Sequence, residues 1–337
     1  MGNSHSPASI KIDRDGTIHL GARTIPVPKT VSPEAQRYLA IPPWGDGTPP
    51  PNIPLWELRT TFDSMFKMLE DSARGAYPVE IEPRKIAGIQ TDIVKPISVG
   101  EGKQGRVLIN LHGGGFVLGS PPSLVEAIPI ANLTRAHVIT IDYRLAPEHP
   151  FPAAIDDIVV VYKELLKTYR SNNIGIFGSS AGAILTAESA VRFRQLGLPF
   201  PAALGIFSGS GDLSDFGDSM AMYTLFGFWG ELLRPFDDPG SEINAYLDGH
   251  DPKDPVVSPI HSDLRGIPPT LLITGTRDFL LSPTTIFHRA LRRSGVEAEL
   301  VVFEAMPHCH WITGIDLPES KEAFQIMAEF LDRKLGK

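Results

Sequence analysis

The sequence predicts an α/β fold, a mostly parallel sheet with helices on both faces. Three observations lead there. Short apolar runs alternate with helix-like segments over roughly the last 230 residues, the pattern of strands joined by crossover helices. A pair of alternating, antiparallel-looking strands precedes them, and the chemically suggestive motifs all fall directly after a strand, where ligands bind in open sheets of this kind.

Residues 1 to about 55 are rich in Pro and Gly, as in T-I-P-V-P-K-T and I-P-P-W-G-D-G-T-P-P-P-N-I-P, and carry one short helix-like piece, Ser32 to Ala40. This reads as a wrapping arm or a mobile segment. From Leu55 to Ala73, helical spacing of Leu55, Leu58, Phe62, Met65, Phe66 and Leu69 marks an amphipathic helix, packed on the body or forming part of a lid. Val79 to Ile97 alternates and predicts two exposed antiparallel strands. Strands follow at Arg106–Leu111, Ala136–Tyr143, Ile174–Phe177, Ala203–Phe207, Pro269–Gly275 and Glu299–Phe303. Helices are expected at Ser123–Arg135, Ala153–Tyr169, Ala181–Leu196, Thr284–Ser294 and Lys321–Leu335. Aromatic and glycine-rich sequence from 209 to about 265 breaks the rhythm, with Phe226, Phe228 and Trp229 suggesting an apolar pocket lining. The expected organisation is an arm and cap helix over 1–75 and one α/β unit over 76–337, with 209–265 contributing to the cap.

Composition narrows the function classes. A net charge of −8 gives no footprint for nucleic acid, and 42% hydrophobic with 21% charged residues is ordinary for a globular protein. The single cysteine, Cys309, excludes an intrachain disulfide and a cysteine-based metal cluster. No run approaches the roughly 18 apolar residues of a membrane span, and the first thirty residues lack a signal-peptide core. A soluble, cytoplasmic protein is expected. Export stays open, because Met1–Pro7 reads as a replacement for a native start.

The chemistry centres on Gly178-Ser179-Ser180-Ala181-Gly182, between an apolar strand and an Ala-rich helix. In a G-x-S-x-G turn the glycines accept a cramped backbone and keep side chains clear, leaving the serine hydroxyl exposed at the strand's carboxyl end. Ser180 is the candidate nucleophile; the alternative is a serine that merely caps a helix. A serine attacking a carbonyl needs a base, a carboxylate to orient it, and donors for the oxyanion. With the chain order Ser, acid, His, the available histidines are His288, His308 and His310. Asp278, just past the strand T-L-L-I-T-G, is the favoured acid, with a helix-terminal carboxylate as the alternative. His288 lies within a helix. His308 and His310 follow the strand E-L-V-V-F, and His308 is favoured, with His310 lining the pocket or exposed. The spacing H-C-H could hold a metal with Cys309, but no further ligands accompany it, so neither a metal nor a cofactor is expected. The oxyanion donors are sought in His112-Gly113-Gly114-Gly115, whose successive glycines let backbone N–H groups approach a substrate oxygen, with the N–H of Ala181 adding a third. A phosphate loop is disfavoured, since the P-loop lysine and the G-x-G-x-x-G spacing are missing.

H-G-G-G at 112–115, Y-R-L-A-P-E-H-P-F-P-A-A at 143–154, G-S-S-A-G at 178–182, G-T-R-D at 275–278 and M-P-H at 306–308 stand in the order and approximate spacing of one family. From about residue 80 to the end the chain resembles the hormone-sensitive-lipase-like bacterial carboxylesterases. The resemblance implies an α/β-hydrolase fold with a helical cap, no cofactor, and hydrolysis of short-acyl esters, with lactones taken by some members. Carried over, Ser180 is the nucleophile, Asp278 the acid, His308 the base, and Gly113, Gly114 and Ala181 the oxyanion donors. The partner is a small-molecule ester, and a homodimer through the last sheet edge is common in the family. Ser179 stands where these proteins commonly have Asp or Thr, and Cys309-His310 where a small residue and an aromatic commonly follow the histidine. A second reading is a non-catalytic binding protein, as in plant gibberellin receptors, which resemble the family without the working histidine; the joint presence of Ser180, Asp278 and His308 favours the enzyme.

Overall fold

Strands that are apolar on both faces have to be covered on both faces, and this is how the centre of the molecule is built. The computed structural model describes residues 24–40, 53–98, 105–120, 123–228 and 241–336, with the backbone of 11–12 and 18–19. Lys11–Ile12 (β1) and Ile18–His19 (β2) form a small antiparallel ladder. The main sheet has eight strands: β3 (Val79–Ile86), β4 (Ile89–Pro96), β5 (Val107–Leu111), β6 (His137–Ile141), β7 (Ile174–Ser179), β8 (Ala203–Phe207), β9 (Thr270–Gly275) and β10 (Ala298–Phe303). Their spatial order is β10-β9-β8-β7-β5-β6-β4-β3. The pairings from β6 through β10 are parallel, and those of β4 with β3 and β6 are antiparallel. Every residue of β5, β7, β8 and β9 is buried.

The helices divide between the two faces. On one, α3 (Ala127–Thr134) and α10 (Pro318–Lys334) bury Ile128, Phe324 and Met327 against Leu108, Phe177 and Phe207. On the other, α4 (Ala153–Leu165), α5 (Ala181–Gln195) and α8 (Leu281–Arg293) bury Ile155, Ile184 and Phe287 against Ile109, Ile176 and Ile206. Successive strand residues point to opposite faces, so one apolar run feeds both cores. The chain leaves β5 for β6 on one side and returns to β7 on the other, which makes the β5/β7 boundary the switch point of the sheet. The H-G-G-G loop leaves β5 there and the Ser180 turn leaves β7.

Three expectations need correction. The strands at 79–97 are not both exposed: β4 lies between β3 and β6, so Thr91, Ile93 and Val94 are buried and only β3 is an edge. The helix expected from Ser123 begins at Ala127, and Glu70 Oε1 accepts from the Leu124 N–H just before it at 2.9 Å. In contrast, α8 and α10 begin three residues earlier than expected, with Pro283 and Pro318 in their first turns. Proline is accepted there because the missing N–H would have no helical partner.

The N-terminal helices α1 (Pro33–Tyr38) and α2 (Leu55–Ala76) lie on the body. Leu55, Leu58 and Phe62 of α2 pack on one core and Phe66 and Leu69 on the other. Its Arg59 donates to the carbonyls of Val117 and Ala146 and grips Glu148 through two nitrogens. The interrupting segment carries α6 (Asp218–Met222) and α7 (Glu242–Leu247). Trp229 lies outside the described residues; Phe228 is exposed, with the Arg277 guanidinium 5.0 Å from its ring centre. No helix among the described residues is long and apolar enough to cross a membrane.

Candidate active site

Ser180 sits between β7 and α5 with φ 57° and ψ −124°, a backbone conformation seldom taken by a residue with a side chain. The turn can be this tight because its glycines lie against β5. A Cβ at Gly182 would come 1.8 Å from the Leu111 carbonyl oxygen, and one at Gly178 would come 2.3 Å from it. The Ser180 N–H donates to Phe207 O at 3.0 Å, and Ala181 opens α5, so its N–H belongs to the unpaired first turn of a helix.

The loop after β5 presses against this turn: a Cβ on Gly113 would meet Ser180 Cβ at 3.2 Å. His112 fixes the loop from below. Its buried ring stacks on Tyr143 at 4.2 Å, and the Tyr143 hydroxyl donates to His112 O at 2.7 Å. His112 Nδ1 lies 2.7 Å from Gly113 O, and a carbonyl can only accept, so the proton is on Nδ1. Burial pushes the imidazole down to about 4, and it is neutral at physiological pH. In a trans peptide the C=O and the following N–H point in opposite directions. Holding Gly113 O against His112 therefore turns the Gly114 N–H away from the ring. Gly114 has φ 117° and leaves room for the Leu118 carbonyl, 2.5 Å from where a Cβ would be.

Asp278 and His308 meet although thirty residues separate them. Asp278, in the turn after β9, is fully buried; its Oδ1 lies 2.9 Å from His308 Nδ1 and accepts from the Leu280 N–H at 2.9 Å. Thr274 Oγ1 donates to Oδ2 at 3.0 Å. Burial alone would raise the acid, but the charge and hydrogen bond of His308, with hydrogen bonds from Ser208 and Leu280, hold Asp278 below its ordinary value. An ionised carboxylate only accepts, so Nδ1 is the nitrogen that donates to Asp278, and Nε2 is the one that a neutral His308 would offer to a proton. That Nε2 is buried with no hydrogen-bond partner among the described residues, Ser180 included. Such contacts often close only when substrate is bound. Phe279 packs beside the ring at 4.5 Å.

Of the residues singled out in the sequence, Ser180, Gly113, Gly114 and Ala181 come together at the β5/β7 switch point. Asp278 and His308 pair at the carboxyl ends of β9 and β10. His288 lies apart on α8, near Ala298 O. His310 neither lines a pocket nor is exposed: it is fully buried between Phe303 and Trp311, and burial pushes it down to about 3. The αL turn at Cys309 sends consecutive side chains to different sides and drives His310 inward. The Cys309 thiol is buried and raised by burial, the opposite of a reactive cysteine. Sequence reasoning missed Glu126, which accepts from Ser179, Asn110 and Trp311 behind the nucleophile turn. Its one signal was an acid inside the apolar stretch S-L-V-E-A-I-P-I.

Comparison with known proteins gives the family and the class of enzyme. Residues 108–312 match the model of a family described as the alpha/beta hydrolase fold. The chain is 33% identical over 237 residues to an acetyl-hydrolase of Streptomyces hygroscopicus, spanning 69% of this chain and 78% of that protein. It is 30% identical over 276 residues to an esterase of Acinetobacter venetianus, spanning 81% and 87%. The structure of esterase E25 superimposes with a TM-score of 0.80 at 34% identity, over 94% of this chain and 99% of that one. An esterase from the bacterial hormone-sensitive lipase family does so with 0.78 at 30% identity, over 90% and 99%. Fold and relatives together define a carboxylic ester hydrolase. The chain belongs to the bacterial hormone-sensitive-lipase-like family of the α/β-hydrolase fold.

Proposed function

We propose that the chain hydrolyses short-acyl carboxylic esters, lactones included, through an acyl-enzyme on Ser180, with His308 as general base, Asp278 as its orienting acid, and the N–H groups of Gly113, Gly114 and Ala181 as oxyanion donors. The observation that carries this reading is the buried Asp278–His308 pair at 2.9 Å, which engages Nδ1 and leaves Nε2 free of Asp278 on the sheet edge that also holds the strained Ser180. As Ser180 Oγ bonds to the acyl carbon, its proton moves to Nε2. That proton then leaves with the alcohol as the C–O bond breaks. Water repeats the sequence, giving a proton to Nε2 and a hydroxyl to the acyl carbon, and Ser180 takes the proton back. Preorganised N–H groups stabilise the oxyanion without reorganising during the reaction.

A relative named acetyl-hydrolase supports a small acyl group. The described parts of 209–265, together with α2, serve as the cap. In support, a Cβ on Gly227 would lie 3.6 Å from Pro307, α6 is tied to the Asp278 turn through Ser219 and Phe279 O, and Tyr246 of α7 stacks on Phe116 at 3.9 Å.

Ser180→Ala should abolish turnover of p-nitrophenyl acetate and butyrate and covalent labelling by an organophosphonate; full activity would remove the nucleophile assignment. His308→Ala should lose on the order of 10⁴ in kcat, while His310→Ala keeps its catalytic base. Rates across acyl chain lengths and a few lactones would define the substrate range.

A further inference from the structure

Behind the nucleophile turn lies a buried carboxyl group that the reaction above does not use. Glu126, at the start of α3, is 4% exposed, and its three partners Ser179, Asn110 and Trp311 are fully buried. Ser179 Oγ donates to Glu126 Oε1. Trp311 Nε1 donates to the same oxygen at 3.2 Å and lies 3.2 Å from Ser179 Oγ. Asn110 Nδ2 donates to Oε2 at 3.0 Å.

What matters is where these partners sit in the chain. Ser179 immediately precedes Ser180. Asn110 is three residues before Gly113, in the strand that launches the oxyanion loop. Trp311 is three residues after His308, in the turn that carries the base. Three segments from distant parts of the sequence, each supplying one component of the proposed site, are hydrogen-bonded to the two oxygens of one side chain.

We propose that Glu126 is a positioning residue that sets the relative placement of the Ser180 turn, the Gly113–Gly114 loop and the His308 segment. The inference rests on the triad reading above. A buried acceptor with three directional donors constrains the angle and separation of what it joins, as apolar packing alone does not. Reacting groups need that constraint, since a displacement of about 1 Å can cost roughly 100-fold in rate. The neighbouring side chains also indicate which substitution can replace Glu126. Asn110 Oδ1 is buried without a partner. A glutamine at 126 could accept from Ser179 and Trp311 through its oxygen and donate its amide to Asn110 Oδ1 after that side chain turns over. An alanine offers nothing to any of the three.

The test compares Glu126→Ala, Glu126→Gln and Ser179→Ala with the wild-type enzyme, with active sites titrated by an organophosphonate so that rates are per competent molecule. Glu126→Ala should lower kcat about 10- to 100-fold, slow phosphonylation of Ser180 in parallel, and leave KM within a few-fold. Glu126→Gln should recover to within a few-fold of wild type, and Ser179→Ala, which removes one tie, should fall between. A Glu126→Ala enzyme with a lowered melting temperature but wild-type kcat per titrated site would overturn the proposal, as would a Gln variant as impaired as the Ala variant. Should Glu126→Ala not fold, unchanged kcat in Ser179→Ala would do the same. None of these results touches the triad reading, which fails only if activity survives Ser180→Ala.

Discussion

Glu126 shows how an ionisable side chain takes its properties from its surroundings. Burial raises it to about 7 from an ordinary 4.5, against the pull of its three donors, Ser179, Asn110 and Trp311. The Cys309 thiol, itself raised by burial, faces it from the segment after β10. A group whose folded value lies above its unfolded value holds its proton more tightly when folded. Its stabilising contribution is therefore complete below about 4.5 and is lost as the pH rises through about 7. Melting temperature should accordingly decline between about pH 5 and pH 8, and Glu126→Gln, which cannot ionise, should decline less. Equal slopes in the two proteins would show that Glu126 does not titrate in this window. Asp278 works in the opposite sense: held below its ordinary 3.8, it contributes at neutral pH and loses that contribution only as the pH falls below this value. The two carboxyls differ because Asp278 faces an imidazole that can take up a positive charge and also accepts hydrogen bonds from Ser208 and Leu280, whereas Glu126 has neutral donors only.

At the scale of elements, the nucleophile turn depends on two strands and a helix meeting at van der Waals limits. Gly182 is the tightest point, where a Cβ would lie 1.8 Å from Leu111 O and 2.7 Å from His112 O. Both neighbours are backbone, so no side-chain rotation can relieve the clash. Gly182→Ala should destabilise the fold by roughly 1–3 kcal/mol or more and lower activity in whatever fraction folds, as read by urea denaturation and active-site titration. Ala at Gly197, where nothing lies within 4 Å but φ is 64°, should cost only the backbone strain. The pattern G-S-S-A-G was legible in sequence because it is local: strand, turn and helix are consecutive, and the steric demand falls on the motif's own glycines. The pairing of Asp278 with His308 was legible in outline, since both follow strands and parallel strands end at one edge. The burial of His310 was not, because a single αL residue at Cys309 decides where the next side chain points, and no propensity marks a cysteine for that conformation.

Across the whole molecule, the pieces outside the parallel sheet are joined to the site by a few polar contacts. Tyr246 of α7 donates to Glu188 Oε2 of α5 at 2.6 Å, both side chains being buried, and it stacks on Phe116 beside the glycine loop. Burial raises Glu188 well above its ordinary value, against the pull of the Tyr246 hydroxyl. Tyr246→Phe keeps the stacking and removes the hydroxyl. Because Oε1 of Glu188 already lacks a partner, the loss strands the carboxyl and should cost about 1–3 kcal/mol in thermal or urea unfolding. Glu148 is the surface counterpart: Arg59 holds its acid down to about 2, yet half of its side chain is exposed and solvent screens the pair.

By itself the sequence determined the fold class, the order of the strands and helices, and the motifs that carry the chemistry, since these follow from periodicity and from short-range steric demands. Only the tertiary structure decided that β4 is an inner strand, that His310 is core, and that a glutamate inside an apolar run sits behind the Ser180 turn. These outcomes depend on which residues distant in the chain become neighbours. Burial and hydrogen-bond partners are properties of those neighbours, and a linear pattern does not contain them.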